Sequence, residues 1–202
     1  MPLFSSYYIS VEIRYRNNGL KGRLFNGVVT MREVFYGVIS QGVALFCMKE
    51  DKICCFFGHR KIQVTEKLYA TTTAEILKSV NLGCRVFYFG GYGEFDELCY
   101  KIVSKIKKEN PTLNITRVYC VPQERYLRKN SPHFNRADYE KVIYLSPAFE
   151  GWYKSIYFRN CAMIDKSHIA IFYAEARADS GAYKAYKYAI KKDNKRIVNL
   201  WE

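Results

Sequence analysis

The stretch Val86-Phe87-Tyr88-Phe89-Gly90-Gly91-Tyr92-Gly93-Glu94-Phe95-Asp96-Glu97-Leu98 decides how this chain is read. A continuous apolar and aromatic run stops at two glycines, a third glycine follows one residue later, and a helical pattern then begins. That order predicts a buried strand, a tight turn and a helix whose first backbone N–H groups face the turn. Glycines let a ligand approach the backbone, and free N–H groups together with the helix dipole favour an anion. A sharp βα corner without any ligand would carry the same glycines, so the turn by itself leaves both readings open.

Outward from this turn the pattern is regular. Ile53 to Phe57 is a short apolar run suited to a parallel strand covered on both faces, and Gly58-His59-Arg60 ends it. Thr72 and Glu75 have capping-box spacing for a helix through Val80 that Gly83 terminates. Arg85 to Phe89 is the second strand, and Glu94 to Glu109 a helix with Phe95, Leu98, Cys99, Ile102 and Ile106 facing inward. Further strands are expected at Ile115 to Val121, Lys141 to Leu145, His168 to Tyr173 and Arg196 to Leu200. Helices are expected at Trp152 to Asp165 and Gly181 to Lys192, and Pro122 to Ala137 reads as a basic loop. Strand and helix alternate throughout. The expected fold class is therefore α/β and Rossmann-like: a mainly parallel sheet with helices on both faces. This domain is expected to occupy residues 48–202. Residues 1–47, with Asn17-Asn18-Gly19 and Asn26-Gly27 between strand-like fragments, read as an N-terminal extension, either loosely attached or lying before a natural start at Met48.

Composition narrows the class. Of 202 residues 49% are hydrophobic and 16% aromatic, enough for a folded core. No apolar run approaches the roughly 20 residues that cross a bilayer. Seven cysteines without a CxxC pair, and three isolated histidines, argue against a zinc site or a disulfide framework. They read as buried, reduced thiols of a cytoplasmic protein, with no metal and no resident cofactor. The formal net charge of +13 admits nucleic acid or an anionic nucleotide as a partner and does not choose between them.

Three loops fall at the carboxyl ends of strands, where open α/β sheets bind ligands: Gly58-His59-Arg60, Gly90 to Asp96, and Ala174 to Gly181. A fourth element, Tyr157-Phe158-Arg159-Asn160, precedes the fifth strand. The ligand-binding candidates are Gly58, His59, Arg60, Gly90, Gly91, Gly93, Glu94, Asp96, Arg159, Asn160, Ser180 and Gly181, since N–H donors and guanidinium forks suit phosphate. Each has a plainer role as well: a loop hydrogen bond for His59, a surface ion pair for Arg60, and helix-dipole stabilisation for Asp96 and Glu97.

Phe57-Gly58-His59-Arg60, the Phe89 to Asp96 turn, Arg159-Asn160-Cys161-Ala162-Met163-Ile164-Asp165 and Ser180-Gly181-Ala182-Tyr183, in that order, resemble the YpsA/YoqJ-like branch of the SLOG superfamily. That superfamily also holds the Smf/DprA proteins and the Lonely-Guy phosphoribohydrolases. The resemblance runs from about Lys52 to Leu200. It implies a Rossmann-like domain that binds a nucleotide or nucleotide-derived ligand, acting as a sensor or regulatory module. An alternative is a Lonely-Guy-like nucleoside monophosphate phosphoribohydrolase, with Glu97 and Arg159 as catalytic candidates. The glycine turn spells part of that family's PGGxGTxxE signature, but here it precedes Arg159. The segment in the signature's place is Asp179-Ser180-Gly181-Ala182, and its glutamate position falls on Ala185. A second alternative is DprA-like single-stranded DNA binding, with Lys184, Lys187, Lys191, Lys192, Lys195 and Arg196 as the basic face. The expected partner is a small nucleotide-derived ligand, with no membrane and with a homo-oligomer as an option.

Overall fold

A computed structural model describes residues 51–124, 136–145, 151–177 and 179–201. The expected extension at 1–47 and most of the loop expected at 122–137 lie outside the described residues. Six strands form one sheet: β1 Lys52–Gly58, β2 Cys84–Phe89, β3 Thr116–Val121, β4 Lys141–Tyr144, β5 Ile169–Tyr173 and β6 Arg196–Asn199. Their order is β4-β3-β2-β1-β5-β6, and every neighbouring pair is parallel. The helices are α1 Glu66–Asn81, α2 Glu94–Glu109, α3 Trp152–Lys166 and α4 Gly181–Ala189. Among the described residues no helix is long and apolar enough to cross a membrane.

The sheet is covered on both faces, which explains why its central strands read as unbroken apolar runs. Successive side chains alternate across β1. Cys54 and Phe56 join one core with α1 and α2, through Leu68, Ile76, Phe95 and Ile102. Cys55 and Phe57 join the other with α3 and α4, through Met163, Ile164, Ala182 and Ala185. β5 divides in the same way, Ile169 and Ile171 against Ala170 and Phe172. All five residues expected on the inner face of α2 are buried. α4 meets the sheet through Ala182, Ala185 and Ala189, small residues that let its backbone come close.

One helix start differs from the sequence expectation. α1 begins at Glu66, with Thr65 as its cap: the Thr65 hydroxyl accepts from Leu68 N–H at 3.1 Å. Thr72 is instead a buried residue in the middle of the helix, and Glu75 pairs with Arg196 of β6. Thr65 is itself a good cap residue, and it stands where the chain leaves the loop after β1. Capping-box spacing recurs inside helices because the same residue types are tolerated there.

Two glycines are needed for different reasons, and this can be measured. A Cβ at Gly58 would lie 2.4 Å from the ring of Phe95, whereas one at Gly83 meets nothing within 4 Å but must adopt φ +96. Gly83→Ala is expected to cost about 1 kcal/mol through backbone strain alone. Gly58→Ala is expected to cost more, about 2–3 kcal/mol, because a packed aromatic ring has to move. Urea unfolding of the two variants checks the order, and equal losses would contradict it.

Candidate functional site

In this strand order the chain leaves β1 toward β2 on one side, and later returns from β4 to place β5 on the other. The crevice at such a switch point opens at the carboxyl ends of β1 and β5. The loops after β1, β2 and β5 meet there in a continuous set of contacts.

The glycine turn after β2 is built around Asp96. This carboxylate accepts from Gly90 N–H at 3.1 Å and Gly91 N–H at 2.8 Å. On the far side of the turn, Arg159 Nη1 donates to Gly90 O at 2.7 Å and to Cys120 O at 2.9 Å. The peptide unit between Gly90 and Gly91 is therefore held at its oxygen by a guanidinium and at its N–H by a carboxylate. Both charged groups are nearly inaccessible, Arg159 at 5% and Asp96 at 6% exposed. Burial pushes the Asp96 pKa up to about 6, against the lowering effects of the Gly90 N–H, the Arg159 charge and the N–H groups of Gly91 and Tyr92. Burial also lowers the Arg159 pKa from its ordinary value, although a guanidinium keeps its charge.

On the side where a Cβ would stand, each of the three glycines of the turn is closely approached by the chain itself. A Cβ at Gly90 would lie 2.9 Å from Arg159 Nη1, one at Gly91 2.2 Å from the Tyr119 ring, and one at Gly93 2.9 Å from the Arg60 backbone. The N–H groups of Gly90 and Gly91 are spent on Asp96, and Glu94 N–H donates to Arg60 O at 3.0 Å. The Glu94 carboxylate accepts from Ile62 N–H at 2.7 Å, so Glu94 ties the loop after β1 to the start of α2. A phosphate cradle on Gly90 and Gly91 would need those bonds broken.

The β5 side differs. His59, 8% exposed, accepts from Glu175 N–H through Nε2 at 2.9 Å, joining the exits of β1 and β5. Its Nδ1 lies 3.4 Å from Arg177 Nη2 and 3.5 Å from Ser180 Oγ. Burial and the Arg177 charge lower the His59 pKa, and Glu175 opposes them. Ser180 caps α4, its hydroxyl accepting from Tyr183 N–H at 3.3 Å. At Gly181, the first residue of α4, no described residue lies within 4 Å of where a Cβ would stand.

The remaining candidates divide. Arg60 lies at the rim with its guanidinium 4.4 Å from the Tyr92 ring centroid. Asn160 is half-buried in α3 beside Arg159, with no side-chain hydrogen bond to the described residues. Glu97 pairs with Lys101 at 2.7 Å along α2. Ala185 is a packing residue of α4. Part of the C-terminal basic face is spent internally: Lys192 pairs with Asp165 at 2.8 Å, Lys195 donates to Ser167 O, and Arg196 pairs with Glu75. The six cysteines among the described residues are free and buried.

Sequence reading missed three contributors. Asn199 clamps Ala174 at the end of β5, its Oδ1 accepting from Ala174 N–H at 3.1 Å and its Nδ2 donating to Ala174 O at 3.0 Å. Tyr119 packs on Gly91, and Arg177 stands beside His59. Each depends on register between distant strands, and only the placement of Arg177 within the Ala174 to Gly181 loop was visible in sequence. No protein-family model and no curated protein matches this chain.

Asp96 yields a pH prediction. Its folded pKa is raised, so the stability it contributes is full below about pH 4 and is lost as pH rises through about 6. The stability of the wild type relative to Asp96→Asn, measured by urea unfolding, is expected to fall between pH 4 and 7. A difference that grows over that interval would contradict the assignment.

Proposed function

We propose that the crevice at the ends of β1, β2 and β5 binds a nucleotide or nucleotide-derived ligand, and that the protein is a sensor or regulatory module of the SLOG type. The observation that carries this reading is the opening of α4 onto the switch point. Among the described residues nothing lies within 4 Å of where a Gly181 Cβ would stand, beside the half-buried Ser180 and next to the loop that His59 holds. A helix start free of side-chain bulk suits a phosphate. The phosphate then belongs at Ser180–Gly181, since the glycine turn after β2 has already committed its donors to Asp96. Arg60 and Tyr92 at the rim offer a cation and an aromatic face for the rest of the ligand.

Binding is favoured over glycosidic hydrolysis by the placement of the acids. Cleavage needs a carboxylate free to activate water or to stabilise an oxocarbenium-like charge. Glu97 is paired with Lys101, Asp96 is engaged by the turn, and Ala185 holds the position where the phosphoribohydrolase signature carries glutamate.

Thermal denaturation with nucleoside mono-, di- and triphosphates, ADP-ribose species and cyclic nucleotides tests the reading. At about 100 times Kd a bound ligand adds about 2.7 kcal/mol of stability, a readily measured rise in Tm. Gly181→Val is expected to leave the ligand-free Tm unchanged and to remove the shift. Failure of every nucleotide to stabilise the folded protein would overturn the reading. Nucleoside monophosphates are expected to survive long incubation intact, and Glu97→Gln to bind as the wild type does. Release of free base that Glu97→Gln abolishes would establish the hydrolase instead.

A further inference from the structure

We propose that His59 and Arg177 together form an anion-receiving group at the β5 side of the crevice, taking a phosphate-class oxyanion between the His59 Nδ1–H and the Arg177 guanidinium. The proposal deepens the ligand-binding reading above and rests on it.

A backbone N–H can only donate, so the 2.9 Å contact from Glu175 N–H makes His59 Nε2 an acceptor. A neutral imidazole then carries its proton on Nδ1. Arg177 Nη2 lies 3.4 Å from that same Nδ1, and a guanidinium has donors only. Two donors therefore face each other. Ser180 Oγ, which accepts from Tyr183 N–H, has a second lone pair for Nδ1–H but lies 3.5 Å away, at the long limit of a hydrogen bond, so it satisfies that proton only weakly. An oxygen acceptor set between His59 and Arg177 would turn a mismatched contact into two charge-assisted hydrogen bonds.

The surroundings favour an anion over a neutral acceptor. The charged groups facing the ring are Arg177, which disfavours imidazolium, and Glu175, which favours it. From β5 and the segment after β6 the ring meets the Tyr173 and Trp201 aromatics, at 6.2 and 5.5 Å between centroids. Arg177 holds Glu175 through Nε at 3.0 Å, and its side chain is 55% exposed, so it can turn toward an incoming anion at little cost. The donors lie on separate parts of the chain, the loop after β1 and the loop after β5, next to the bare backbone of Gly181. A tetrahedral oxyanion, with oxygens directed several ways, serves such a set better than a planar carboxylate.

The test uses the full chain, inorganic pyrophosphate as probe, and side-chain nitrogen NMR of His59. The free protein is expected to show the Nδ1–H tautomer. Pyrophosphate is expected to shift the Nδ1 resonance and to raise the pH at which His59 titrates. Arg177→Ala, a change at an exposed side chain, is expected to weaken pyrophosphate at least tenfold, with Arg177→Lys intermediate. An Nε2–H tautomer, an unmoved His59 at saturating pyrophosphate, or equal affinity in Arg177→Ala would overturn the proposal. If nucleotides stabilise the wild type and Arg177→Ala equally, the crevice binds nucleotide but the anchor is wrong. If neither nucleotide nor pyrophosphate binds the wild type, both readings fall.

Discussion

The site depends on one peptide unit held between two buried charges. Arg159 reaches the oxygen of the Gly90–Gly91 peptide from α3, and Asp96 reaches its N–H from α2. The helices lie on opposite faces of the sheet, so this contact passes through the sheet's carboxyl edge and joins the two cores. Each charge is costly to bury alone, and removing either would leave the other in a low-dielectric interior with backbone groups unpaired. The peptide dipole between them points its negative end at the cation and its positive end at the anion. The cost is thereby partly offset without a direct ion pair, although burial still holds the Asp96 pKa above its ordinary value.

That constraint accounts for glycine at these positions without invoking a ligand. Arg159 can lie flat on position 90 only if there is no Cβ, and Tyr119 can cover position 91 only under the same condition. Position 93 must let the loop after β1 pass within contact distance, so that Glu94 can bind Arg60 O and Ile62 N–H. A glycine-rich strand-to-helix turn therefore has two physical meanings that look alike in sequence. Either an external group approaches the backbone, or a side chain from elsewhere in the chain does. Here both Gly90 and Gly91 serve internal side chains.

Much of the fold was legible because parallel strands buried on both faces leave a distinctive trace. Ile53 to Phe57 and Val86 to Phe89 read as strands because neither face has a polar side to show, and Glu94 to Glu109 read as a helix from its inner stripe. Helix ends were less legible: Thr72 and Glu75 imitate a cap inside α1, while Thr65, the actual cap, lacks the partner three residues later. Within the site, Arg159 was legible because an arginine in an apolar, aromatic helix needs a partner, although the partners proved to be carbonyls. The His59–Glu175 bond and the Asn199 clamp on Ala174 were not legible. They join residues more than 100 and about 25 positions apart, and their pairing depends on β1, β5 and β6 being neighbours.

The division of labour across the crevice follows from the same geometry. On the β2 side Asp96 takes up the N–H groups of Gly90 and Gly91 and Arg159 Nη1 takes up Gly90 O, while Arg159 Nε is buried with no hydrogen-bond partner among the described residues. On the β5 side the balance is different. His59 Nε2 is committed to Glu175 N–H while Nδ1 makes long contacts with Arg177 and Ser180, Arg177 holds the Glu175 carboxylate, and among the described residues nothing lies within 4 Å of where a Gly181 Cβ would stand. A ligand gains most where protein donors are not yet matched, because there it replaces water without breaking internal bonds. The loop from Ala174 to Ser180 is thus the half on which the proposed ligand site rests. The glycine turn, which dominates the sequence, is the support against which that half is positioned.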